Sequence, residues 1–219
     1  MGRYFDDNYT MLKHRLVDMA TLVQNIVSSA IRSLATGDAE LAKKTILEDE
    51  LIDRIEVEID ELVLKLLALQ QPMAIDLRFL ITALKINNDL ERMGDQAVNI
   101  AQNVVMLRAF EPSEIERIVD FDAMENSVLQ MVQHTIEAFT SGNVELAQNV
   151  IERDDEVDDM NCQTIKQIAR HLRTHADEAD QCMALLLVTR NLERIADLST
   201  NIAEDVIYYI EGKIIKHSY

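Results

Sequence analysis

The sequence predicts an all-α protein built as two tandem three-helix bundles, with six long antiparallel helices. Three observations carry that prediction. Glycine and proline total seven of 219 residues, far too few for the turns of a β-protein. Ala, Leu, Glu, Lys and Gln, all good helix formers, dominate the composition. The chain also repeats itself. Leu34–Asp53 aligns without gaps on Phe139–Asp158, and Leu90–Ala101 on Leu192–Ala203 with seven of twelve positions identical. The offset is 105 in the first block and 102 in the second, so the second copy is about three residues shorter between them. Two halves of roughly 105 residues follow, each domain-sized, at 1–110 and 111–219.

Helix 1 is expected from about Phe5 to Ala35 and ends at Gly37, whose missing Cβ tolerates the left-handed backbone of a helix C-terminus. Asp38 is placed to cap helix 2, which continues unbroken to about Leu69. Gln70-Gln71-Pro72 breaks the chain and opens helix 3, with Pro72 near its first turn. Helix 3 runs to about Ala109. Glu111-Pro112-Ser113-Glu114 joins the halves, and Ser113 caps helix 4, which runs to about Thr140. Gly142-Asn143 repeats the Gly37-Asp38 turn before helix 5, which ends near Arg173. Thr174–Asp180 leads into helix 6, which ends near Glu211. Long helices joined by short turns pack as bundles.

A net charge of −18 excludes a protein built to bind nucleic-acid phosphates, which needs a Lys/Arg field. It disfavours adsorption to anionic lipid and suits divalent cations or basic protein partners. Two cysteines, Cys162 and Cys182, without C-x-x-C spacing are the usage of a reduced cytosolic protein and read as core fillers. The polar, acidic N-terminal residues are not a signal peptide, and the longest apolar run, Met183–Val188, cannot span a bilayer. A soluble cytoplasmic protein is expected.

The repeated segments carry acids in an E-x-x-x-D arrangement, Glu91/Asp95 and Glu193/Asp197. Four-residue spacing puts both carboxylates of a pair on one helix side, where like charges repel. Asn88, Glu91, Asp95, Asn99 and Gln102 share an arc of about 80°, and Leu77, Leu80, Ile81, Leu84, Val98 and Val105 lie on or beside it, so the acids interrupt an apolar row. Leu90, Met93, Ala97, Ile100 and Val104 form a second row that should face the core. Helix 2 carries a matching stripe of Asp49, Asp53, Glu56 and Asp60, and helix 5 one of Asp154, Asp158 and Asn161. Antiparallel packing would set Asp49/Asp53 beside Glu91/Asp95 and Asp154/Asp158 beside Glu193/Asp197. Each half then gathers four carboxylates, an all-oxygen set suited to Mg, Ca, Mn or iron. The competing reading is a solvated acidic face. Recurrence in both halves and the interruption of apolar rows favour a site.

Other residues carry less. His171 and His175 stand four apart near a helix end, where cationic side chains suit the dipole, and His134 stands alone. No E-x-x-H sequence, of the kind that ferritin-like di-iron proteins use, is present, nor a G-x-S-x-G or Walker A motif. The ten methionines fall within helical patterns and read as core.

Asp89–Ala101, Arg190–Asp197, Asn201–Tyr208, Leu69–Phe79 and the Gly37-Asp38 turn together resemble the PhoU family of phosphate-signalling proteins, across essentially the whole chain. The resemblance implies two three-helix bundles and no catalysis. It implies a cytoplasmic adaptor, expected as a homodimer, that negatively regulates phosphate uptake and the phosphate-starvation response. Its partners would be the ATP-binding subunit of a phosphate ABC transporter and a sensor histidine kinase, with the membrane reached only through proteins. It further implies divalent or multinuclear metal (iron, manganese, magnesium or zinc) at E(D)-x-x-x-D motifs, here Asp49/Asp53, Glu91/Asp95, Asp154/Asp158 and Glu193/Asp197. One departure is Ala196 where the first half has Gly94, a methyl expected to narrow the second site. Two other readings remain: a carboxylate-bridged metalloenzyme, for which no base or E-x-x-H motif is visible, and a plain structural bundle.

Overall fold

A computed structural model describes residues 2–70, 72 and 75–213, with backbone alone for 2–6 and 70. The helices are α1 (Gly2–Thr36), α2 (Ala39–Leu47), α3 (Asp49–Gln70), α4 (Ile75–Leu107), α5 (Ile115–Ile118), α6 (Asp122–Ser141), α7 (Val144–Glu152), α8 (Asp154–Leu172) and α9 (Ala179–Glu211). A 3-10 turn, Ala176–Glu178, precedes α9, and no strand occurs among the described residues. Helices α1, α2–α3 and α4 form one repeat, and α6, α7–α8 and α9 the other.

The glycine turns form as their residues dictate. Gly37 and Gly142 adopt φ of +64° and +69°, a region costly for any residue with a Cβ. Asp38 Oδ1 then accepts the N–H groups of Glu40 and Leu41, both at 3.0 Å, and Asn143 Oδ1 that of Leu146 at 3.0 Å. Each cap satisfies donors that the first helical turn leaves free.

The structure corrects the expectation of six unbroken helices. Helices 2 and 5 each break at the same place in the repeat. Thr45 O accepts the Glu48 N–H and Glu48 O the Leu51 N–H, both at 3.2 Å. In the second copy Val150 O accepts the Arg153 N–H at 3.2 Å and Arg153 O the Glu156 N–H at 3.1 Å. Bonding to i−3 tightens the helix for a turn and re-aims the axis. The break therefore puts Asp49 and Asp154, poor formers of a helix interior, in the first turns of new helices, where acids suit the dipole.

Expected helix 4 is likewise two elements. Ser113 directs its N–H and its hydroxyl to Glu116 Oε1 (3.2 and 3.1 Å), closing the single turn of α5. The chain then extends at Val119 (φ −80°, ψ 117°) and Asp120 Oδ1 accepts the Asp122 N–H at 2.9 Å to start α6. Ile115 and Val119 both enter a small core with Leu107, Ile168, Cys182 and Leu185. Pro72 is described outside helix, and α4 begins at Ile75; the rest of the expected Gln70–Pro72 opening touches residues outside those described.

Helices α4 and α9 are central and pack on one another, so both are buried on several sides. The row Leu90, Met93, Ala97, Ile100 and Val104 is buried as expected, and so is its counterpart Leu192, Ile195, Ser199, Ile202 and Val206. One continuous hydrophobic core consequently runs through both repeats. Cys182 is buried, but Cys162 is exposed and is no core filler, because its side of α8 faces away from α9. Among the described residues no helix is long and apolar enough to cross a membrane.

Candidate metal centre

The break at Glu48 starts α3 at Asp49, and α3 packs along α4, so the two acidic stripes meet. Their meeting is written in the protonation of the acids. Burial, then Asp95, Glu56, Asp53 and Asp49, push the Glu91 carboxyl up from 4.5 to about 7. Burial, Asp53 and Asp95 raise Asp49, and burial and Asp53 raise Asp95. All four expected residues of the first half, Asp49, Asp53, Glu91 and Asp95, therefore face one another. Asp49 Oδ1 would lie 3.8 Å from a Cβ built on Gly94, which ties the start of α3 to the middle of the α4 pair.

The second half repeats the arrangement. Burial, Asp197 and Asp158 push Asp154 up to about 6, with Asp155 adding to the rise and the nearby Thr200 hydroxyl pulling it back without settling into hydrogen-bond geometry. Burial, Asp197 and Asp158 raise Glu193, and burial and Asp158 raise Asp197. Arg194 and Arg190 oppose the rise at Glu193, and Arg194 does so at Asp197. In the first half the matching Arg92 turns instead to Asp89, at 3.5 Å. The first cluster is thus the more purely anionic.

One residue of the first cluster was visible in the stripe but not among the expected ligands. Glu56 is raised by burial, Asp60, Asp53 and Asp95, so it belongs with the facing acids. Its three-residue spacing from Asp53 was the signal. The repeat counterpart of Glu56 is Asn161, one turn beyond Asp158 on α8. Its Oδ1 is buried with no hydrogen-bond partner. Crowded carboxylates and an orphaned amide oxygen form a donor set that fits hard, oxygen-seeking cations. Among the described residues no three His, Cys, Asp or Glu close to the spacing of a single-ion site.

The Gly94/Ala196 difference has a packing counterpart. A Cβ on Gly94 would come 2.6 Å from Ile52 Cδ1, a contact no relaxed structure holds. In the second repeat the matching pair is Val157 and Ala196, both fully buried. One carbon has moved from the α3-type helix to the α4-type helix, conserving volume.

The histidines are drawn into other work. His171, buried in the last turn of α8, meets Glu178 Oε2 at 2.9 Å and stacks on His175 with ring centres 4.1 Å apart. Glu178 also accepts the N–H groups of Glu114 and Ile115, at 3.1 and 3.2 Å. The group fastens the linker between repeats to the end of α8.

Comparison with known proteins places these features in a family. The PhoU domain model matches residues 16–104 and again 121–206. The chain is 34% identical over 213 residues to a phosphate-specific transport system accessory protein PhoU homolog of Thermotoga maritima, covering 97% of this chain and 91% of that one. It is 38% identical over 207 residues to the homolog of Aquifex aeolicus, covering 94% and 93%. Among solved structures, PhoU of Pseudomonas aeruginosa superposes with a TM-score of 0.90 at 30% identity, over 95% of this chain and all of that one.

Proposed function

The chain belongs to the PhoU family, and from that membership we propose that it is a cytoplasmic regulatory adaptor of phosphate homeostasis that uses bound metal to hold its working surface. As a PhoU-type accessory protein of a phosphate transport system it has a coarse role already. The finer reading is that it couples the transporter's ATP-binding subunit to a sensor histidine kinase, represses starvation genes when phosphate is plentiful, and dimerises. The observation that carries the metal part is the confrontation of like charges in both repeats, with Glu91 pushed up to about 7 and Asp154 to about 6. A multivalent cation between the facing acids would reverse the local sign and so favour their charged forms.

In this reading Asp49, Asp53, Glu91 and Asp95 hold metal in the first repeat, helped by Glu56. Asp154, Asp158, Glu193 and Asp197 hold it in the second, helped by the Asn161 amide oxygen. The cation supplies charge neutralisation, not a reaction. The chain's own part is to bring α3 against α4 and α8 against α9 with these oxygens between them.

The test is genetic and biochemical together. Deleting the gene should leave starvation genes expressed in high phosphate, and the wild-type chain should restore repression. The Asp95→Asn/Asp197→Asn double variant should not. Affinity purification from the complemented strain should recover the transporter ATPase and a sensor kinase. Unchanged expression in the deletion strain removes the regulatory reading, and full repression by a metal-free double variant removes the metal.

A further inference from the structure

The two repeats also meet over a cavity of about 170 Å³ that lies apart from the acidic stripes. Leu34, Leu107 and Leu185, from the end of α1, the end of α4 and the body of α9, form its apolar side. The linker and the first turn of α6 form its polar side. Glu125 lines this space while only 7% exposed. Among the described residues its carboxylate accepts no hydrogen bond and meets no cation; the charges that reach it are the acids Asp122 and Asp120 on the exposed rim. Arg108, on the same wall, is already joined to Glu116. Burial and the two rim acids push Glu125 up to about 7.

A carboxylate this enclosed and without a partner is unfavourable when charged, and two like charges beside it add to the cost. The remedy is a cation from outside, and the cavity says which kind. Its acids do not close to the spacing of a metal site. One side is aliphatic and the other acidic, the pattern that a Lys or Arg side chain matches with its methylene stem and charged head. Phe121 adds an aromatic ring to the wall, a further attraction for a guanidinium.

We propose that this cavity is a socket for a lysine or arginine side chain presented by a docked protein, with the head group paired to Glu125 and the rim acids. The partner is a protein with a basic protrusion, in keeping with the −18 charge of this chain. The socket is independent of the metal reading.

The full chain, labelled with 13C at Glu side-chain carboxyls, is titrated with n-butylguanidinium and n-butylammonium. A saturable shift of the Glu125 signal is expected at millimolar concentration, with none from tetramethylammonium, which has no N–H to donate. Glu125→Gln keeps the shape, melts no lower, and should weaken binding, followed on leucine methyl signals of the cavity, at least about tenfold. Asp122→Asn, at the exposed rim, should weaken it about threefold without touching the fold. Equal binding by Glu125→Gln and Asp122→Asn overturns the proposal. So does a Glu125 signal that ignores the organic cations and responds to Mg²⁺, which would make the cavity an inorganic cation site. Neither result alters the response of Asp95→Asn or Asp197→Asn to metal, so the two readings fail separately.

Discussion

Glu91→Gln offers the sharpest test of the facing acids, because its sign reverses with both pH and metal. The Glu91 carboxyl stands at about 7 in the fold against 4.5 ordinarily. A raised carboxyl favours the folded state below the unfolded value, and that advantage is lost as pH rises from about 4.5 to about 7. The gap corresponds to ~3 kcal/mol at 1.36 kcal/mol per pH unit; Glu91 is only half-buried, so solvent screening leaves about 1–2 kcal/mol. Gln has the same shape and no charge. In chelator at pH 8 the variant should therefore melt about 2–8 °C higher than the parent, since each kcal/mol moves a chain of this size by about 2–4 °C. At pH 4, with Glu91 protonated in both states, the difference should vanish. Adding Mn²⁺ at pH 8 should invert the order. The parent gains about 2.7 kcal/mol at a hundredfold excess over Kd, and the variant forfeits much of that. Differential scanning calorimetry at the two pH values, with chelator and with metal, reads all four cases. An equal effect of the substitution at pH 4 and pH 8, or no inversion with metal, would refute the argument that these acids share a site.

Asp95→Asn and Asp197→Asn should each remove about half the bound metal by elemental analysis, since the clusters sit in separate repeats; loss of all metal from either change would show one shared centre instead. Gly94→Ala should cost about 1–3 kcal/mol in urea unfolding because its methyl meets the buried Ile52, and Ile52→Val should relieve most of that by recreating the second repeat's pairing. If the double variant is no more stable than Gly94→Ala alone, the exchange of one carbon between the helices is not what the repeat conserves. In metal-free protein, Asp154→Asn should stabilise above pH 6 and leave stability unchanged below about pH 4, because Asp154 is raised from 3.8 to about 6. Stabilisation that persists at low pH would point to a packing effect.

Most of the helices, the repeat and the spacing of the acids were legible in the sequence because each depends on near neighbours. Gly37 and Asp38 make a turn from their own backbone and side-chain preferences, and Glu91 and Asp95 share a face because four residues make about one helical turn. Glu48 and Arg153 gave no such signal: each sits inside a good helical pattern, and the break appears only where α2 and α7 must pack on a central helix before α3 and α8 can turn along it. Whether a stripe is a solvated face or a confrontation is likewise a relation between helices distant in sequence. Only the fold put Asp49 against Gly94, added Glu56 to the acids, and left the Asn161 oxygen without a partner. It also enclosed Glu125, which in sequence is one acid among 39 and in the structure stands at the junction of two repeats. Periodicity says which residues lie side by side on one helix; burial is decided by what comes to cover them, and that is set by the packing of all the elements together.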